Sequence, residues 1–287
     1  MIELLKAVEH HEFETKDGVR LHYVTVGAGK PLVMIPGGLC AYDYFSYQIP
    51  VLSKYYCIYI LDPRGFGLSD VPSYGYRIPR LATDMKEWLE HLKIHKAYFL
   101  GHSMGCSIIW SYMDLYGQDI IEKFILVDQP PTLAINPIWN EEEKREAGAV
   151  ASDVWAFVNE FVVNQEKPMS AFSKYLPLGV FDRKQKFAQT FKDYLSESLP
   201  VKNWQVASDL MLNHVMQDWR DVIKRIRVKT LVITGELSSV KDAVIWNHQQ
   251  IPDSELVVFT REELGGHNLL LENPEKANQV ILDFLQR

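Results

Sequence analysis

Cysteine is scarce in this 287-residue chain, and the three present, Cys40, Cys57 and Cys106, form neither a paired framework nor a metal-ligand spacing. No structural disulfide and no metal are therefore expected, and a reduced, cytoplasmic setting is. Long apolar runs are also missing: no stretch approaches the roughly 20 residues that cross a bilayer. The segment from Met1 to Gly18 lacks the basic-then-apolar pattern of a secretion signal. Nor is there a run of Lys and Arg. The formal net charge of -7 disfavours a nucleic-acid surface. Internal repeats and low-complexity segments are absent, which excludes a solenoid.

What the chain does contain is short β-rich runs alternating with helical patterns, the mark of a mostly parallel sheet flanked by helices. Glu12 to Thr15 and Val19 to Val26 read as early strands, followed by Pro31 to Ile35, Cys57 to Leu61, Ala97 to Gly101 and Lys123 to Val127. Between Ile78 and Leu92, Leu81, Met85, Trp88, Leu89 and Leu92 fall at helical spacing. Met104 to Tyr116 reads as a second helix. From Thr132 to about Asn213 the pattern is helical and aromatic with no convincing strand. Strands resume at Lys229 to Thr234 and Glu255 to Phe259, and a helix from Pro274 to Leu285 closes the chain. One sheet domain, 1–131 with 214–287, carrying a helical cap, 132–213, is the expected organisation. Such a cap would lie over the C-terminal strand ends, where open α/β sheets place their sites.

Gly101-His102-Ser103-Met104-Gly105 matches G-x-S-x-G. The pattern is weak alone, but here it lies between the apolar Tyr98, Phe99 and Leu100 and a helix carrying Ile108, Ile109 and Trp110. That is the strand–turn–helix a nucleophile elbow needs. The turn is so tight that side chains beside the serine must be absent, and Gly101 and Gly105 supply the space. His102 is read as packing, because it sits beside the serine on the turn and points elsewhere.

With this elbow preceded by Asp62-Pro63-Arg64-Gly65-Phe66-Gly67-Leu68-Ser69, the chain resembles the α/β-hydrolase superfamily, in its branch of serine esterases, lactonases and cofactor-free haloperoxidases. The Asp62–Ser69 segment is read as structural, with Arg64 paired to a carboxylate. The resemblance implies an α/β-hydrolase fold, Ser103 as nucleophile and His267, in Gly265-Gly266-His267 after the last strand, as its base. A hydroxyl is a poor nucleophile near neutral pH, so an imidazole must accept its proton. The oxyanion donors would be the backbone N–H groups of Met104 and Gly38. Pro36 stands where the family usually writes histidine.

The acid is left open. The family's usual Gly-x-x-Asp turn reads Gly235-Glu236-Leu237-Ser238 here, a serine in the aspartate's place. Asp128, at the end of its strand, is favoured, as in certain haloalkane dehalogenases and zearalenone-type lactonases. Glu236 and Asp242 are the alternatives, and a dyad without an acid is a third.

The aromatics Tyr42, Tyr44, Phe45 and Tyr47, with Trp139, Trp155, Phe157, Phe161, Phe172, Tyr175 and Leu176, suit an apolar pocket. Leu39, Tyr42, Trp155 and Phe172 are the residues chosen to line it, although aromatics at helical spacing serve core packing equally well. The function expected is hydrolysis of a hydrophobic ester or lactone without a cofactor. The expected partner is the small-molecule substrate, with a homodimer left open and neither nucleic acid nor membrane expected. A carbon–carbon bond hydrolase, a cofactor-free perhydrolase and a non-catalytic ligand-binding protein remain alternatives. Epoxide hydrolases and haloalkane dehalogenases are disfavoured, because they carry aspartate where Ser103 stands.

Overall fold

The computed structural model describes residues 7–148, 153–164, 193–195, 198 and 200–287. Eight strands form one sheet: β1 (Glu9–Glu14), β2 (Arg20–Val26), β3 (Pro31–Ile35), β4 (Cys57–Leu61), β5 (Ala97–His102), β6 (Ile121–Val127), β7 (Lys229–Gly235) and β8 (Ser254–Phe259). Their spatial order is β1-β2-β4-β3-β5-β6-β7-β8. Pairing is antiparallel from β1 to β2 and from β2 to β4, and parallel from there on. The inner strands are near-continuous apolar runs because both faces are covered. Leu32, Val33, Met34, Phe124, Ile125, Leu126 and Val127 are all fully buried.

Strand order reverses at β3. The chain steps outward from β3 to β4, then crosses back so that β5 lies on the other side of β3. A crevice opens at such a reversal, beyond the carboxyl ends of the two strands. Here the register partners at those ends are Ile35 and Gly101.

The helices that cover the sheet are α1 (Ile78–His91), α2 (Met104–Tyr116), α6 (Lys241–Gln250) and α7 (Pro274–Gln286). In α1, Leu81, Met85, Trp88 and Leu89 are buried as their spacing requires. Pro274 occupies the first turn of α7, where its missing N–H leaves nothing unpaired. Between β6 and β7 lie α3 (Glu141–Ala147), α4 (Val154–Val163) and α5 (Trp204–Val215). The boundary expected after Asn213 falls inside α5, which starts at its cap Asn203 and runs through it. This excursion is closed at its neck by an isolated bridge between Thr132 and Asp218, with Ala134 N–H donating to Val215 O at 3.1 Å.

The Asp62–Ser69 segment is structural, as its composition suggests. Arg64, fully buried, donates to Asp84 through Nε and Nη2 at 2.6 Å each and to Asp17 at 3.1 Å. Removing one partner of such a cluster would leave a buried charge uncompensated. Gly67 has φ +55°, and a Cβ there would collide with the Asp62 carboxylate.

Candidate active site

The elbow follows from three local constraints. Ser103 has φ 51° and ψ -127°, a conformation that costs on the order of 1–3 kcal/mol and persists only where the surroundings impose it. A Cβ on Gly105 would run into the Ile35 carbonyl, and one on Gly101 would lie 2.8 Å from the Cys106 nitrogen. The two glycines therefore let β5 turn directly into α2 against the end of β3. Ser103 N–H is held by Val127 O at 2.9 Å, so the elbow is tied to β6 as well.

Asp128 sits on the neighbouring strand end with φ 48°, a left-handed conformation that aspartate tolerates better than most residues. Its N–H donates to Ile233 O at 2.9 Å. The carboxylate is fully buried. Oδ1 accepts from Thr234 Oγ1 at 2.5 Å, and Oδ2 accepts from Ser238 Oγ at 2.7 Å and lies 2.6 Å from His267 Nδ1. His267 Nε2 lies 3.0 Å from Ser103 Oγ. Asp128, His267 and Ser103 thus form one continuous hydrogen-bonded chain. Nδ1 carries the proton toward Asp128, which leaves Nε2 to accept from the serine.

Glu236 and Asp242 are not brought to His267. Glu236 is exposed and accepts from Arg261 N–H at 2.9 Å, while Asp242 lies in α6 beside Lys241 at 3.6 Å. Sequence reading missed the two hydroxyl donors on Asp128. Ser238 stands in the very turn where an aspartate was sought. Thr234 is the next residue along β7 after Ile233, the register partner of Val127, so strand pairing alone places it opposite Asp128.

Gly38 and Met104 are adjacent. A Cβ on Gly38 would lie 3.9 Å from Met104 Cβ, and one on Gly37 would lie 3.2 Å from Ser103 Cβ. The bare backbone of this loop can thus approach the elbow closely. Met104 N–H opens α2, where the unpaired amides and the helix dipole favour negative charge. The glycines before His267 act through close approach: a Cβ on Gly235 would collide with Gly265 O, and one on Gly265 with Phe259 O.

The expected pocket residues are only partly bought together by this arrangement. Leu39 (φ 65°) is 1% exposed and packed in the core beside the Gly37–Gly38 loop. Tyr42 packs instead edge-on to His10 and His22, both at 5.5 Å, at the β1–β2 side of the sheet. Trp155 is a correction: it is 71% exposed. The buried face of α4 carries Phe157 and Val158. Phe172, like Tyr175 and Leu176, lies outside the described residues. From α5, Met211 reaches toward the Gly37–Gly38 loop, its Sδ 3.2 Å from where a Gly38 Cβ would sit. On the same helix His214 is 4% exposed, and burial together with the nearby His267 pushes its pKa down to about 3.

The family model for the alpha/beta hydrolase fold matches residues 30–274. The chain belongs to the α/β-hydrolase family. Across 95% of its length it is 25% identical to a putative non-heme chloroperoxidase from Synechocystis sp., covering 97% of that protein. Among solved structures, an esterase from Exiguobacterium antarcticum superposes with a TM-score of 0.80 at 24% identity, covering 96% of this chain and 99% of the other. A bromoperoxidase from Bacillus anthracis superposes at 0.79 and 24% identity, covering 97% and 100%. Relatives named as enzymes and this fold together support a hydrolase.

Proposed function

We propose that this hydrolase cleaves a carboxylic ester or lactone of a hydrophobic small molecule through an acyl-enzyme on Ser103. The observation that carries the reading is the Asp128–His267–Ser103 hydrogen-bond chain. Ser103 Oγ attacks the carbonyl carbon as its proton passes to His267 Nε2. Asp128 holds the imidazole in the accepting tautomer and stabilises the imidazolium. Negative charge on the carbonyl oxygen is met by the Gly38 and Met104 N–H groups, each such donor contributing about 3 kcal/mol. On collapse, the C–O bond to the leaving alcohol breaks and that oxygen takes the proton from Nε2. Water, deprotonated by His267, then attacks the acyl-enzyme and releases the acid and Ser103.

The same groups would serve a perhydrolase, in which hydrogen peroxide replaces water in the second half. The 25% identity to a protein named as a chloroperoxidase favours carrying this as the second reading. The excursion between β6 and β7 is read as a lid over the site, since Met211 Sδ of α5 lies 3.2 Å from where a Gly38 Cβ would sit.

A serine-directed aryl phosphonate tests the chemistry. Intact-protein mass spectrometry should show one adduct, mapping to Ser103. Folded protein that takes no adduct, or takes it elsewhere, overturns the assignment. Initial rates on p-nitrophenyl esters with and without peroxide then separate hydrolysis from perhydrolysis.

A further inference from the structure

The residue before the nucleophile, read from sequence as packing, is not idle. His102 is 2% exposed, and its Nε2 lies 2.9 Å from the backbone oxygen of His267 and 3.1 Å from Tyr44 Oη. A carbonyl oxygen can only accept, so the proton is assigned to Nε2. Tyr44, itself fully buried, gives its hydroxyl proton to Asn268 Oδ1 at 3.1 Å. Tyr44 Oη therefore meets the imidazole as an acceptor, and Nε2–H is shared between it and His267 O. The two rings stack at 4.6 Å with 19° between planes. On the other edge, a Cβ on Gly37 would lie 2.8 Å from His102 Nδ1, so the oxyanion loop closes over that nitrogen.

We propose that His102, braced by Tyr44, is a positioning residue for the catalytic base, clamping the His267 backbone from the nucleophile's own elbow. The clamp engages the loop at two successive residues, the carbonyl of His267 and the side chain of Asn268. That fixes where the His267 ring emerges relative to Ser103, the next residue after His102. Base and nucleophile are thereby held by one pair of adjacent residues, and a misplacement of even 1 Å at this step is costly. Burial and the neighbouring His267 hold the His102 pKa far below its usual value, so no second cation stands beside the imidazolium, the ring centres being 5.0 Å apart.

The inference rests on the triad reading for its kinetic consequence, but its test has an arm that does not. His102→Phe keeps a ring against Tyr44 and loses the donor, whereas His102→Gln loses the ring and places an amide N–H near the Nε2 position. A clamp predicts that Phe lowers kcat and the phosphonate-labelling rate at least tenfold with KM little changed, and that Gln recovers most of the loss. Packing alone predicts the reverse order, and that result overturns the proposal. Should the Phe variant fail to fold, His102→Asn serves in its place, since its amide matches Nδ1 and not Nε2. Asn should then behave as the crippled variant and Gln as the rescued one; equal activity of the two overturns the clamp. Proton NMR of the His267 Nδ1–H, bonded to Asp128, reads the same geometry without turnover. The downfield signal should be sharp in wild type and His102→Gln and broadened or lost in His102→Phe or His102→Asn; an unchanged signal across all variants overturns the clamp. If wild type takes no phosphonate while the NMR order holds, the ester reading fails and the clamp stands.

Discussion

Among the described residues, two buried aspartates are bonded to histidines, and one of these two pairs leads to a serine. Asp128 Oδ2 lies 2.6 Å from His267 Nδ1, and His267 Nε2 lies 3.0 Å from Ser103 Oγ. Asp62 Oδ2 lies 2.8 Å from His22 Nδ1, and His22 Nε2 lies 2.8 Å from His10 Nδ1. The pairs are near copies, but their surroundings differ. Asp62 is held by backbone, accepting from the N–H groups of Tyr42 at 2.7 Å and Leu68 at 2.9 Å. Asp128 is held by the hydroxyls of Thr234 and Ser238. His22 is 4% exposed, whereas the His267 side chain is 29% exposed and open to a substrate. An aspartate–histidine pair is therefore no catalyst by itself. On the proposed reading, what sets the Asp128–His267 pair apart is the strained serine at its far end, the amide donors beside it and access from outside.

The sharpest break in this comparison is removal of the serine. Ser103→Ala should lower kcat on p-nitrophenyl esters by roughly 10^6-fold, the scale seen when a serine protease loses its nucleophile. Activity surviving within tenfold of wild type would move the reaction elsewhere.

Matched aspartate-to-asparagine changes set the two pairs against each other. Asp128→Asn should lower kcat by roughly 10^4-fold, the cost of the corresponding change in serine proteases, where the imidazole is left in the wrong tautomer. Asp62→Asn should leave kcat within severalfold and act on stability instead. Loss of one or two charge-assisted bonds, about 1.5–3 kcal/mol each, should lower Tm by about 5–10 °C. Reversal of these two outcomes, measured by steady-state rates and calorimetry, would move the chemistry to the Asp62–His22 pair. Glu236→Gln and Asp242→Asn, which touch neither pair, should each cost less than threefold. A crippling Glu236→Gln would return the acid to the turn after β7.

The smallest effect concerns a third carboxyl near Asp128. Both carboxylate oxygens of Glu272 are covered and without a partner among the described residues. Burial, with the charge of Asp128, pushes its pKa up to about 9. Its folded form holds a proton that the unfolded chain releases near pH 4.3. Stability on this account therefore falls as pH rises from about 4.5 toward 9. Glu272→Gln should raise Tm at pH 8 by a few degrees and leave it nearly unchanged at pH 4.5. His214 acts in the opposite sense. With its folded pKa near 3, it stays neutral while the unfolded chain gains a proton below about 6.5, so stability falls as pH drops through that window. A Tm gain for Glu272→Gln that is equal at both pH values would remove the buried-proton argument.

Most of the sheet was legible because its strands announce themselves. Pro31–Ile35 and Cys57–Leu61 are unbroken apolar runs closed by proline and glycine turns, and the bounds read from them match the structure. The elbow and the candidate base stand out in the sequence because glycine is required at close backbone approaches. Asp128 could be ranked above Glu236 by chain position, but nothing in the sequence announces that Ser238 and Thr234 donate to it. That depends on β6 lying beside β7, a contact between residues about a hundred positions apart. The pocket residues fared worse. Aromatic density does not say which way a ring faces, so Tyr42 turned to the His10–His22 edge and Trp155 to the outside. The partners of His102 were out of reach of the sequence for a similar reason: Tyr44 and His267 come from distant parts of the chain.

The neck formed by Thr132 and Asp218 has a consequence for how such a protein can diversify. Ser103 and Asp128 both precede it and His267 follows it, so no member of the proposed triad lies on the excursion. Trp219 N–H bonds to Pro131 O at 2.9 Å just outside the bridge, which brings the outgoing and returning chain side by side. A graft cut at these two points needs to span almost no gap, whatever its own length. Had the acid stood at position 238 instead, it would come after the graft, and any strain passed down the returning chain would reach it first. With Asp128 in that role, the proposed nucleophile and acid stand on adjoining strand ends, upstream of every insertion that the neck can accept.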